Sequence, residues 1–335
     1  MKKILVSGGA GFIGSHLVDR LLSEGHQVIA VDNLSTGRIK NLQQALATGR
    51  LQFVEADINQ ADVLNPLCQG VETVFHLAAL ADIVPSIENP LAYTQANVSG
   101  TMVLLEAARK AGVARFVYAA SSSCYGLPDL FPTPEVAEIR PQYPYALSKY
   151  LGEQSVHHWG QVYGMSTISL RFFNVYGPRA RTSGTYGAVF GVFLRQKLAN
   201  KPFTVVGDGQ QSRDFTYVSD VTDALVQAAA SKISGEAYNV GSGGSYTINS
   251  LVDLLGGERV YIPKRPGEPD CTFADLTKIR EQLGWNPKVS FQEGVSRVLD
   301  CINDWSDAPL WTPSSIEVAT RDWFRYLGSS TPGGN

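Results

Sequence analysis

Six short apolar runs punctuate the first half of the chain: Lys3–Ser7, Gln27–Asp32, Leu51–Glu55, residues 73–78, Arg115–Ser121 and residues 167–173. Near-continuous apolar runs of this length suit strands buried on both faces, as in a parallel sheet. Between them, Phe12–Ser23 and residues 90–111 and 145–163 space their apolar residues at helical intervals. The alternation predicts a doubly wound α/β domain. Past about residue 175 the regularity falls: Tyr176-Gly177-Pro178 marks a turn, and the runs at Phe203–Val206 and residues 238–240 each precede a glycine-rich turn. The pattern predicts a first domain over 1–175 that also receives segments from about 211–245. A smaller interleaved lobe is expected over 176–328, and a disordered tail over 329–335.

The junction between the first strand and first helix reads Gly8-Gly9-Ala10-Gly11-Phe12-Ile13-Gly14. Such a turn lets backbone N–H groups approach a pyrophosphate at a helix N-terminus, where the helix dipole favours an anion. Asp32 ends the second strand, eighteen residues after Gly14. A carboxylate there accepts both hydroxyls of an adenosine ribose and repels a 2′-phosphate, which favours NAD over NADP. Further along, Tyr145-Ala146-Leu147-Ser148-Lys149 puts a phenol and an ammonium one helical turn apart. A lysine so placed can stabilise a tyrosinate, a competent base toward an alcohol. A serine cluster, Ser121-Ser122-Ser123, ends the strand upstream.

Composition narrows the rest. The chain has 335 residues, a net charge of -3, 44% hydrophobic and 18% charged residues. That is ordinary for a soluble globular protein and offers no general attraction to nucleic acid or anionic lipid. The opening apolar run stops at Ser7, too short for a signal peptide, and no stretch is long enough to span a membrane. Cys68, Cys124, Cys271 and Cys301 are scattered, which excludes a zinc knuckle and offers no disulfide framework. A reducing cytoplasm is the expected compartment. Cys124 has no nearby histidine to activate it and reads as a small core residue; His76 reads as a core histidine. Adjacent His157 and His158 cannot face one site, so no metal is expected.

These motifs together resemble the extended short-chain dehydrogenase/reductase family, and within it the nucleotide-sugar epimerases typified by UDP-galactose 4-epimerase, from Lys3 to about Trp305. The resemblance implies a Rossmann-type parallel sheet with a smaller C-terminal substrate lobe. It also implies NAD, tightly bound and regenerated in each cycle. By this likeness Gly8, Gly11, Phe12, Ile13 and Gly14 form the cofactor turn, and Asp32 and Asn33 the ribose contact, followed by Ser35, Thr36 and Gly37. Asp57 and Ile58 resemble the adenine contact, with a helix cap as the alternative for Asp57. Leu77, Ala78, Ala79, Ala119 and Phe172 complete the cofactor wall, and Asn97 is the asparagine that steadies the central strands. Ser121, Tyr145 and Lys149 are the implied catalytic residues, Ser122 competing with Ser121.

On the substrate side the likeness assigns Asn174 to the sugar nucleotide, Ala188 and Val189 to the segment over the uracil, and Thr204 and Val206 to the floor beneath it. Arg213 and Arg265, with Glu268, resemble the segments that hold the diphosphate, and an arginine fork suits phosphate geometry. Arg213 alternatively pairs with Asp214 or Asp220. Thr272 stands at the gate beside the sugar C2 substituent, where a larger residue restricts some epimerases; an N-acetyl group would fit. Arg179 and Arg181, in the loop after Pro178, leave a uronic acid open. The implied partners are a UDP-sugar and a second copy of the chain, docked through the helices that begin at Pro90 and Tyr145.

Related 4,6-dehydratases carry an Asp-Glu pair just after the catalytic Ser or Thr, and decarboxylases a glutamate two residues on. Ser122 and Ser123 stand there in this chain. The remaining set, a base, a hydride acceptor and a hydroxyl donor, fits reversible oxidation at C4 and hence 4-epimerisation. The alternatives are another nucleotide-sugar epimerase, including one acting on UDP-glucuronate, a 4-keto-sugar reductase or decarboxylase, and a non-catalytic NAD-binding regulator. The chain departs from the family at its C-terminus. There Thr312-Pro313 opens a helix with Ile316, Thr320, Trp323, Phe324 and Leu327 on one face, to pack on its own domain or on a partner.

Overall fold

The computed structural model describes residues 1–180 and 187–328. Strands β1 (Lys3–Ser7), β2 (Gln27–Asp32), β3 (Leu51–Glu55), β4 (Thr73–His76), β5 (Arg115–Ser121) and β6 (Ser166–Phe172) lie in one parallel sheet. After β7 (Phe203–Val206), β8 (Glu236–Val240) returns to the edge of that sheet, giving the order β8-β6-β5-β4-β1-β2-β3. The order reverses at β1, flanked by β4 and β2: Ser7 is in register with His76 on one side and Val31 on the other. Ligands in open α/β sheets bind outside the strand C-termini at such a switch point.

Side chains of the strands alternate between two apolar cores. Ile4, Val6, Val28, Ala30, Phe75 and Val117 pack toward helix α1 (Phe12–Ser23), and Leu5, Ile29, Val31, Val74, Phe116 and Tyr118 toward the opposite face. That period of two explains why the runs read as apolar throughout. Helices α2 (Ile83–Glu88), α3 (Gly100–Lys110) and α4 (Pro144–Tyr163) follow β4 and β5, and Leu104, Leu105, Ala108 and Val156 of α3 and α4 close the second face. A third core, around Tyr176, Phe193, Phe203, Phe215, Phe291 and Trp305, fills the smaller lobe, where β7 pairs in parallel with β9 (Arg259–Ile262).

Three element boundaries differ from the sequence pattern. The apolar run over 73–78 leaves the sheet after His76, because Leu77 to Ala79 turn toward the cleft. Residues 90–111 are not one α-helix: a π turn at Gln95–Ser99 separates Pro90–Thr94 from α3. The extra residue in that turn accompanies an inward Asn97, fully buried, whose amide accepts from Leu80 N–H at 2.8 Å and donates to its carbonyl at 2.9 Å. The C-terminal helix breaks at Thr320 into α5 (Pro313–Ala319) and α6 (Arg321–Leu327). Thr312 caps α5 through a reciprocal pair with Ser315, and Ile316, Thr320 and Trp323 are buried, whereas Phe324 is 38% exposed. The expected five-residue face is thus reduced by Phe324.

Candidate active site

At the switch point a cleft of 690 Å³ runs from the glycine turn, across the ends of β4 and β5, into the smaller lobe. Its first wall is the start of α1. Gly11 caps that helix with no side-chain hydrogen bond and no acidic residue follows in the first turn, which leaves N–H groups available to an anion. Gly8 has φ +71°, and a Cβ there would lie 2.7 Å from Ala78 N; a Cβ on Gly14 would collide with the Gly8 carbonyl. Only glycine permits this approach of helix to turn. Asp32, 7% exposed, accepts from Ala10 N–H at 3.0 Å and Leu34 N–H at 2.8 Å, and burial pushes its carboxyl upward against those bonds.

Asp57 is tied into the neighbouring loop. It accepts from Asn59 N–H and Asn59 Nδ2 at 2.8 Å each, and from Asn33 Nδ2 at 3.0 Å. Burial would raise its carboxyl, but these donors hold it below the usual value. An uncapped glycine turn, a buried acid at the end of β2, a second acid after β3 and small alanines after β4 form a cradle that fits NAD. Gly8, Gly11, Gly14, Asp32, Asp57, Ala78 and Ala79 would hold it.

The expected catalytic residues meet at the end of β5. Tyr145, in the first turn of α4, reaches Ser121, the last residue of β5, with 3.4 Å between hydroxyls. Ser121 Oγ lies 2.8 Å from Ser123 Oγ and accepts from Ser123 N–H at 3.2 Å. Both the Tyr145 hydroxyl and the Ser123 hydroxyl meet Ser121, so the geometry favours Ser121 over its neighbour. Burial pushes the Tyr145 phenol up, opposed by its bond to Ser121. Burial draws Lys149 down to about 7, opposed by the charge of Glu153, and its Nζ sits 4.2 Å above the Tyr118 ring. A lysine poised near neutrality can lend and regain a proton at low cost.

Of the expected site residues, all but Gly37 and Asn97 border the cleft. Gly37 faces the Asp32 carboxylate instead, where a Cβ would lie 2.6 Å from an oxygen. Asn97 stands behind the wall. Rather than the strands, it holds Leu80 and, through Ser148 Oγ at 2.9 Å, the catalytic helix. At the other end of the cleft Arg213 pairs with Glu268 at 2.9 Å, and Arg265 approaches the same carboxylate at 3.8 Å. Two guanidinium groups around one acid leave a net positive charge. Neither expected alternative partner is used: Asp214 accepts from Ser242 N–H and Oγ and from Ala274 N–H, and Asp220 from Lys288 and Val289 N–H. Thr272 Oγ1 donates to Asn174 Oδ1 at 2.9 Å, tying the gate position to the sugar-side asparagine.

Arg179 pairs with Asp19 at 2.7 Å, and Arg181 lies outside the described residues. His76 is a satisfied core residue: its ring nitrogens meet Ser7 and Thr101 hydroxyls at 2.7 and 2.8 Å, and burial lowers it to about 3. Cys124 is buried and pushed up to about 12, which leaves an inert thiol. Among the described residues no group of histidines, cysteines and acids could hold a metal, and no helix is long and apolar enough to cross a membrane. Asp82, Tyr143 and Trp311 also border the cleft, although the sequence reading did not single them out. Only Tyr143 had a signal available, the aromatic repeat Tyr143-Pro144-Tyr145.

The cleft joins a cradle that fits NAD to a buried phenol and a hydroxyl, an arrangement of the short-chain dehydrogenase/reductase class. The chain belongs to the NAD dependent epimerase/dehydratase family, which matches residues 4–241. It is 38% identical over 306 residues to a UDP-glucose 4-epimerase of Mycolicibacterium smegmatis, covering 89% of this chain and 97% of that one. The crystal structure of UDP-glucose 4-epimerase with UDP-glucose from Thermotoga maritima superposes with a TM-score of 0.84 at 37% identity, covering 89% of this chain and 97% of the other. A UDP-glucuronic acid 4-epimerase from Bacillus cereus, in complex with UDP-glucuronic acid and NAD, gives 0.84 at 33% identity, over 90% and 99%.

Proposed function

We propose that this protein interconverts the C4 epimers of a UDP-sugar, UDP-glucose and UDP-galactose or their 2-acetamido counterparts, through a transient 4-keto sugar. The observation that carries the reading is the Tyr145–Ser121 hydroxyl pair at 3.4 Å, backed by Ser123 where elimination or decarboxylation would call for an acid. Ser121 donates a hydrogen bond to the C4 oxygen, and Tyr145 removes its proton. The bond from Ser121 opposes the burial that keeps the phenol protonated, and Lys149, one helical turn on, would add its charge when protonated. NAD, when bound, accepts hydride from C4 and returns it, so no net cofactor is consumed. Arg213 and Arg265 hold the diphosphate while the sugar presents either face.

Asp82 also borders the cleft, and its charge opposes ionisation of Tyr145, but it arrives from the start of α2 rather than beside Ser121. The test is incubation with UDP-glucose, UDP-N-acetylglucosamine and UDP-glucuronate, separately and without added cofactor, with products resolved by chromatography. The C4 epimer without NADH accumulation is expected. Loss of carbon dioxide, a deoxy product, net NADH, or cofactor binding with no turnover would overturn the reading. The small side chain of Thr272 at the gate position, which borders the cleft, is the ground for including a 2-acetamido sugar. Turnover of UDP-glucose but not of UDP-N-acetylglucosamine would remove that part alone.

We also propose that two copies associate through the helices from Pro90 to Tyr163 that cover one face of the sheet. Leu91 is 78% exposed, Met102 38%, Leu147 48% and Leu151 40%, so apolar side chains stand toward solvent on both helical segments.

A further inference from the structure

The C-terminal helix pair meets the cleft from behind, and one side chain carries the contact. Trp323, on α6, is 2% exposed and donates Nε1–H to the Pro266 carbonyl at 2.7 Å. The Arg265 guanidinium lies 5.4 Å from its ring centroid, within the range of a cation–π contact. Its other neighbour is Tyr143, with ring centroids 6.3 Å apart, and Tyr143 in turn lies parallel to Tyr145 at 6.3 Å and 7°. A single indole thus backs the loop that carries Arg265 and Glu268 and, through Tyr143, the catalytic phenol.

The helix pair that supplies the indole is anchored on both lobes. Ile316 of α5 is part of the core of the smaller lobe, while α6 packs on α2 and Leu327 faces Gly267. Between core and helix pair, Pro309 and Trp311 border the cleft, and the Trp311 carbonyl accepts from Gln196, which also bonds Thr204. Residues 308–327 therefore touch the site at both its nucleobase end and its diphosphate end.

Resting on the proposed function, we propose that Trp323 is a positioning residue for the substrate diphosphate: it holds the guanidinium of Arg265, and the C-terminal helix pair buttresses the substrate site from behind that loop. An unrestrained arginine must lose its rotamer freedom on binding; one stacked on a buried indole has already lost it. The loop backbone gains the same restraint from the bond to Pro266. The direct contacts of Trp323 fall on Pro266, Arg265 and Tyr143, on the substrate side of the cleft, so the effect is expected chiefly on substrate binding.

The test compares the full-length holoprotein with Trp323→Ala and Trp323→Phe, using UDP as the probe in calorimetry together with KM, kcat and NAD content. Trp323→Ala is expected to weaken UDP and raise KM about tenfold, the loss of a cation–π contact and a hydrogen bond. kcat should stay within about threefold and NAD content should be unchanged. Trp323→Phe keeps a ring and loses the N–H, so an intermediate loss of about threefold is expected. UDP affinity within about twofold of wild type in both variants would overturn the inference. So would a parallel loss of NAD and kcat, which marks a merely structural role. If Trp323→Ala does not fold, Trp323→Phe decides by the same criteria. Wild-type protein that binds no UDP would overturn the proposed function and this inference together; wild type that binds it, with unaffected variants, overturns this inference alone.

Discussion

At the scale of single residues, the site depends on hydroxyls and burial more than on formal charge. Removing the phenolic oxygen in Tyr145→Phe should lower kcat about a hundred- to ten-thousandfold with NAD retained, measured by product formation on the active UDP-sugar. His76 sets a different expectation, for stability. Its folded value near 3 lies below the ordinary 6.5, so the unfolded chain takes up a proton that the native protein refuses. Stability is therefore lost as pH falls from 6.5 toward 3, by about 2 kcal/mol between pH 7 and pH 5 from this group. Denaturant melts of wild type and His76→Asn across that interval should show the slope flattened in the variant. Tyr145, Lys149 and the cofactor glycines were legible because their chemistry depends on short spacing along one element, whereas Ser121 was singled out over Ser122 only by the family resemblance. Tyr143 carries no such spacing rule, and its place appears only when α4 is laid against the end of β5.

At the scale of elements, two local structures decide whether the site is formed. The first is the junction of β1 and α1, where the Gly14 backbone lies against the Gly8 carbonyl. Gly14→Ala should push the helix start away from the turn and abolish copurification of NAD, read from absorbance after denaturation. The second is the π turn at Gln95–Ser99, which the apolar periodicity of residues 90–111 concealed. A window of a dozen residues keeps helical spacing on each side of a single inserted residue, so reading the two stretches as one helix hides the bulge between them. Asn97→Ala leaves the Leu80 N–H and carbonyl without their partner and should cost about 1–3 kcal/mol of stability, measured by denaturant unfolding. The paired break at Thr320 was equally concealed, since a capped run with spaced apolar residues reads as one helix.

At the scale of the whole molecule, two lobes share one cleft, and Ala308, Pro309 and Trp311, ahead of the C-terminal helices, border it. Light scattering after size exclusion should give twice the chain mass, and Leu147→Lys combined with Leu151→Lys should give the mass of one chain with NAD still bound; one chain mass for wild type would refute the dimer. The chain's own pattern determined the parallel sheet, because strands buried on both faces must be apolar throughout. It also determined the glycine turn and the Tyr145–Lys149 pair, because helix geometry relates residues four apart whatever surrounds them. Pairings across long separations were decided by tertiary structure alone. Arg213 takes Glu268 rather than the adjacent Asp214, whose oxygens are already occupied by Ser242 and Ala274; Thr272 takes Asn174; and Trp323 reaches Arg265 and Tyr143. Such contacts depend on which surfaces the two lobes bring together, and local spacing along the chain holds no record of that.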